Sequence, residues 1–258
     1  FDLYRLLNME QYQDLEDKAF NFREFFKVQD DKFVHEKDVK RFLDLIVKYD
    51  KGSNYPYANE SYRKIFRHSL WMIPGVKAAR CLSELLKNHE IFGKFNIVNV
   101  AGDGDDDVPY DSAKKMVMDA IGDDPDSTYT ITLSCGRLTA GVTIKPWTAV
   151  FMLSGSYSTD AKAYMQTIFR VQSPWEYKGR IKEECYCFDF APDRTLKIIA
   201  EVAKISAKAG KTSPQDKKWM EEIINFCPVI AYNGIKSNAY DTNMLLEQLK
   251  RAYIDQVI

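Results

Sequence analysis

The sequence predicts an α/β fold: a parallel sheet with helices on both faces, plus helical segments at both ends. Two observations carry that expectation. From His68 onward, short apolar runs rich in β-branched and aromatic residues alternate with amphipathic helical patterns, and parallel pairing needs crossovers that are usually helical. The chain also has material for a core, with 258 residues that are 45% hydrophobic and 13% aromatic.

The elements follow in order. Over residues 1–66 the periodicity is helical, with Val39, Phe42, Leu43, Ile46 and Val47 recurring at three- and four-residue steps and a Lys-Gly-Ser-Asn turn at 51–54. No strand is expected there. Leu70–Ile73 reads as a strand and 76–88 as a helix with Ala78, Leu82, Leu85 and Leu86 inward. Phe95–Val100 is followed by a helix over 112–121, Tyr129–Leu133 by a loop at 134–144, and Ala149–Leu153 by a helix over 159–171. Cys185–Phe190 is the last strand and a helix over 192–208 follows it. Trp219, Ile223 and Ile224, then Leu245, Leu246, Leu249 and Tyr253, form apolar stripes of further helix over 213–258. The division expected is a helical segment at 1–66, an α/β unit at 67–195 and a helical tail at 196–258.

Composition narrows the context. Lys and Arg total 36 against 37 Asp and Glu, so no global positive field announces a polyanion, although a local groove stays open. Five cysteines without a Cys-x-x-Cys pair, and the absence of a signal segment or a run of about 18 apolar residues, point to a reduced, cytoplasmic protein away from membranes. The chain opens at Phe1 inside a helical pattern, so a longer parent is expected.

The stretch Thr130–Pro174 holds the candidate chemistry. A phosphate site needs backbone N–H groups that approach closely, which glycine permits, and cations to meet the charge. Gly136, Arg137, Thr139, Gly141, Thr143 and Lys145 supply both, and Gln166 and Arg170 share one helical face beyond the next strand. Ligands of such sheets sit at the strands' carboxyl ends. Read plainly, the same residues make a strand-end turn and a helix-capping surface arginine.

Three blocks resemble the carboxyl-terminal RecA-like domain of superfamily 2 helicases and translocases, especially the motors of restriction enzymes. His68-Ser-Leu-Trp-Met-Ile-Pro-Gly-Val is similar to the strand and helix carrying motif IV, Thr130–Thr143 to motif V, and Gln166-Thr-Ile-Phe-Arg170 to the start of motif VI, Gln-x-x-Gly-Arg-x-x-Arg. The resemblance covers about residues 68–190. It implies that Gly141 and Thr143 approach the nucleotide, that Gln166 orients near it, and that Arg170 faces the γ-phosphate and stabilises charge developing in phosphoryl transfer. It implies that Ser134 and Cys135 touch nucleic-acid phosphates. ATP and Mg²⁺ would be shared with an amino-terminal RecA-like domain of the same parent. DNA, and nuclease or methylase modules, would be the other partners. The chain departs from the pattern at Phe169 for the motif VI glycine, at Ser173 for the second arginine, and at Thr143 for the aspartate after the motif V glycine. Arg180 and Arg137 are the arginines that could compensate.

Other signals are discounted. Ala209-Gly-Lys-Thr212 lacks the first glycine of a P-loop, Ile205 standing in its place, so this stretch alone is expected to be catalytically silent and the parent to hydrolyse ATP. Asp103-Gly-Asp-Asp-Asp107 lacks the turn glycine and the final glutamate of a calcium loop. Cys185 and Cys187 lack two further ligands, and His35, His68 and His89 lack a cluster, so no metal site is expected. Phenylalanines in 20–33 read as core rather than a base-stacking platform. Two readings compete with the motor domain: a non-catalytic interaction module of a larger complex, and a methyltransferase using Gly102 and Gly104 to bind S-adenosylmethionine.

Overall fold

The computed structural model describes residues 6, 9–12, 20–49, 55–101, 110–135, 143–154 and 160–191, and beyond these 198, 218, 221–222, 230–232 and 237–239. Near the amino terminus, α1 (Phe22–Phe25) is capped by Asn21, whose Oδ1 accepts from the Glu24 amide at 3.0 Å. A two-stranded hairpin follows, β1 (Val28–Gln29) against β2 (Lys32–Phe33). Its turn residues Asp30 and Asp31 have φ of 49° and 57°, a region aspartate tolerates better than most residues. Helix α2 (Glu36–Val47) buries Val39, Phe42, Leu43, Leu45 and Ile46, and α3 (Glu60–Ile65) is capped by Asn59.

The main sheet is formed by β3 (His68–Met72), β4 (Asn96–Asn99), β5 (Thr130–Ser134), β6 (Ala149–Met152) and β9 (Tyr186–Asp189), all parallel, in the order β4-β5-β3-β6-β9. Every residue of β3, β5 and β6 is buried, as expected of parallel strands covered on both faces. The crossovers are α4 (Val76–Lys87) between β3 and β4, α5 (Tyr110–Ile121) between β4 and β5, and α6 (Ala161–Ile168) after β6. Between α6 and β9 lies a small antiparallel hairpin, β7 (Glu176–Tyr177) with β8 (Arg180–Ile181).

Two cores fill the two faces. One joins Leu82 and Leu86 of α4 to Trp71, Leu133 and Phe151 of the sheet, and extends without a break into Phe22, Phe25, Phe42 and Ile46 of the amino-terminal elements. The phenylalanines of 20–33 are therefore core. The other core joins Val117 of α5 and Tyr164 and Ile168 of α6 to Leu70, Val98 and Val150. Because α4 covers one face and α5 and α6 the other, the winding reverses at β3, and the crevice of such a sheet opens at the carboxyl ends beside it.

Two features differ from the sequence expectation. The hairpin β1–β2 interrupts a stretch read as helix. In the tail, β10 (Ile230–Tyr232) pairs antiparallel with β11 (Ser237–Ala239) within residues read as helical. Both are strands of two or three residues, too short to establish a period of two. Among the described residues, no helix is long and apolar enough to cross a membrane.

Candidate functional site

The residues singled out in the sequence fall on opposite edges of the sheet. Ser134 ends β5 and is fully buried, and its carbonyl accepts from the Ile73 amide at 2.7 Å, which closes the gap between β5 and β3. Cys135 follows, half-buried, its thiol donating to the Ala101 carbonyl at 3.6 Å. Burial raises its pKa, so the group is a neutral thiol near pH 7. Both lie at the carboxyl edge, beside the strand where the winding reverses.

Thr143 and Arg170 lie at the other edge. Trp147 and Ile144 are buried in the α5–α6 core, with the Trp147 amide donating to the Ile144 carbonyl at 3.1 Å, and these anchors leave Thr143 and Lys145 exposed just ahead of β6. Helix α6 starts near the carboxyl ends, where the Asp160 carboxylate caps it through the amides of Lys162 and Ala163. It runs antiparallel to the strands. Ala161, Tyr164, Ile168 and Val171 face the core, so Gln166 is exposed mid-helix and half-buried Arg170 emerges in the 3₁₀ turn Phe169–Gln172, back at the amino edge. The carboxyl-end placement expected from the sheet type thus holds for Ser134 and Cys135, whereas the return path of α6 carries Arg170 to the amino edge.

Lys182 joins the two amino-edge segments, a role invisible in the sequence. Its Nζ donates to the carbonyls of Lys145 at 2.9 Å, Trp147 at 3.0 Å and Val171 at 2.8 Å. The first two carbonyls lead into β6 and the third lies in the 3₁₀ turn that follows α6. Half-buried without a carboxylate among these three contacts, the ammonium is destabilised by desolvation, and its pKa falls to about 8 despite a small opposing influence of Cys185. A lone lysine between Arg180 and Glu183 carries no sequence signal that separates it from an exposed one.

The hairpin β7–β8 that delivers Lys182 is itself fastened to the acidic turn before β5. Tyr177 donates to the Asp123 carbonyl and the Asp124 carboxylate, both at 3.2 Å, and Lys178 pairs with Asp124 at 3.1 Å. The hydrogen bond from Lys178, chiefly, lowers the Asp124 pKa. Arg180, weighed in the sequence as a substitute for the missing motif VI arginine, is paired with Asp126, which also holds Arg67 at 3.2 Å. His68 completes this edge. It is buried, bonded to Thr130 Oγ1 at 2.9 Å and the Pro125 carbonyl at 2.8 Å, and burial lowers its pKa to about 4. It is a neutral core histidine.

Gly141 lies outside the described residues, as do Gly136, Arg137, Thr139, Gly102, Gly104, the acidic run 103–107 and the Ala209–Thr212 stretch. His35 bonds Glu24 at 3.1 Å and His89 pairs with Asp44 at 3.3 Å. Cys185 and Cys187 are not joined in a disulfide, and the Cys187 sulfur lies 3.7 Å from the Tyr164 hydroxyl. Among the described residues no group of three or more His, Cys, Asp or Glu is placed to hold a metal ion.

No family model matches the chain. Among solved structures, the C-terminal part of the Fun30 ATPase domain aligns with 86% of this chain and 53% of its own at 12% identity and a TM-score of 0.37, a distance at which the likeness carries no argument. Over 222 residues, 83% of its length, the chain is 31% identical to a Mycoplasma pneumoniae protein whose name assigns it to the C-terminus of a type II restriction enzyme and methyltransferase. The chain spans 29% of that relative and is similar to that part of a restriction-modification protein.

Proposed function

We propose that this chain is the second RecA-like motor domain of an ATP-dependent DNA helicase or translocase belonging to a restriction-modification system. The observation that carries the reading is the segregation of the two residue sets. Ser134 and Cys135, which the motif resemblance assigns to nucleic-acid phosphates, lie on the carboxyl edge of the sheet. Thr143 and Arg170, which it assigns to the nucleotide, belong to the two amino-edge segments whose Lys145, Trp147 and Val171 carbonyls accept from Lys182. Similarity to part of a restriction-modification protein supports the same reading.

The donor set fits a nucleotide's terminal phosphates: an exposed hydroxyl at Thr143 and a guanidinium at Arg170 on one edge. ATP, when bound, would supply the phosphoryl group, and Mg²⁺ held by residues of the other motor half would neutralise its charge. Arg170 stabilises the charge that develops on the γ-phosphate, Gln166 orients near it, and Gly141 lets the backbone approach. Closing and opening of the two halves would then move the protein along DNA.

The test is DNA-stimulated ATP hydrolysis by the full-length parent, which carries both motor halves, and by its Arg170→Ala variant, after both are shown to fold. A loss of about a hundredfold or more is expected of a phosphate-facing arginine. Unchanged turnover would return the domain to an interaction module. The relative's name also mentions methyl transfer. Gly102 and Gly104, which that reading would use, lie outside the described residues.

A further inference from the structure

The hairpin between α6 and β9 ends in an ammonium whose three N–H donors all go to backbone carbonyls of two separate segments, one leading into β6 and one following α6. We propose that Lys182 is a positioning residue: by bridging the carbonyls of Lys145 and Trp147 to that of Val171, it sets Thr143 against Arg170 and so shapes the amino-edge site. The catalytic consequence rests on the motor reading above; the clamp itself rests on geometry.

Three features make this more than surface fastening. First, the acceptors are main-chain oxygens close in sequence to the residues in question: Lys145 is two positions from Thr143, and Val171 is the neighbour of Arg170. A shift of either carbonyl is a shift of its backbone. Second, both segments lie where regular pairing stops. The 143–148 segment precedes β6, and Val171 lies in a 3₁₀ turn beyond the last α-helical hydrogen bonds, so Lys182 supplies partners that no ladder gives. Third, the lysine does not reach across freely. Its amide donates to the Trp175 carbonyl at 2.8 Å, and the preceding hairpin is tied to Asp123, Asp124 and Asp126, so the ammonium is delivered from a braced support. A half-buried cation held by carbonyl dipoles rather than a carboxylate gives up hydration, and its lowered pKa, about 8, is consistent with that.

The experiment uses the full-length parent, with both motor halves, carrying Lys182→Met, Arg170→Ala or both. Lys182→Met keeps the aliphatic stem and removes all three donors. Amide hydrogen exchange is followed in peptides covering 143–148 and 169–172, alongside kcat and KM for DNA-stimulated ATP hydrolysis. The proposal expects exchange in both segments to rise about tenfold while β3 and β5 stay protected. It expects kcat to fall about 10- to 100-fold, the size of loss that misplacement alone produces. It also expects the double variant to be no slower than Arg170→Ala, because Lys182 acts through Arg170. Unchanged exchange in both segments overturns the clamp. Loosened segments with wild-type turnover reduce Lys182 to a fastening and overturn the positioning role. Should Arg170→Ala leave turnover intact, the motor reading fails and the positioning of that site falls with it, while exchange still decides whether the clamp exists. Should Lys182→Met not fold, Lys182→Gln, which keeps two donors, is read against the same outcomes with smaller effects.

Discussion

His68 begins the central strand and is a buried histidine. Both ring nitrogens are engaged, one with Thr130 and one with the Pro125 carbonyl, and burial disfavours the charged ring. Its pKa is lowered from 6.5 to about 4 in the folded chain, so the unfolded chain binds the proton more readily. The associated stability is therefore fully present above pH 6.5 and is lost as the pH falls toward 4. Urea unfolding at pH 8 and pH 4.5 should show a loss of about 2–3 kcal/mol from this residue. His68→Gln should remove that part of the acid sensitivity. Other residues were legible from their surroundings in sequence: Phe22, Phe25 and Phe26 lie in an aromatic-dense stretch and all are buried. Arg170 was legible as a candidate through its spacing from Gln166 on a helical pattern. Lys182 was not, because its significance lies in three carbonyls between 11 and 37 residues away along the chain.

At the scale of elements, the five sheet strands and three crossover helices were legible because each has an apolar run or stripe long enough to show its period. The hairpins β1–β2, β7–β8 and β10–β11 were not. Two residues per strand give no alternation to read, and what defines β7–β8 is its turn, where Lys178 and Gly179 have φ of 51° and 74°. Gly179 has open space around its Cα, so a side chain there meets no clash and the cost of Gly179→Ala is backbone strain. That change should destabilise the hairpin by about 1 kcal/mol and raise amide exchange in 175–182 with little change in the global unfolding midpoint. Asp126 is the second handle on this element, since it holds both Arg180 and Arg67. Both ion pairs are at least partly exposed, so Asp126→Asn should cost under about 1 kcal/mol in the unfolding midpoint.

Across the whole molecule, the amino-terminal elements and the sheet share one core. Phe42 meets Phe190 with ring centroids 5.2 Å apart, and Tyr57 stacks on Phe151 at 5.4 Å while bonding Ser69 at 2.9 Å. The described residues of 1–66, a segment separable on sequence rhythm, thus contribute to the core on one face of the sheet. Deleting 1–49 should expose the face around Leu82, Leu86 and Phe190 and yield an aggregating product rather than a folded remainder, as size-exclusion chromatography with circular dichroism would show. Phe42→Ala should lower stability by about 3–5 kcal/mol in chemical unfolding, the cost of emptying a large buried ring's place. The sequence by itself determined the α/β class, the order of strands and helices and the residues that face inward, because these follow from local periodicity and apolar content. Tertiary structure alone decided the strand order, the reversal of winding at β3, the return of α6 to the amino edge and the bridge made by Lys182. Those depend on which distant segments meet, and backbone carbonyls, which carry no side-chain identity, leave no trace of such a meeting in sequence.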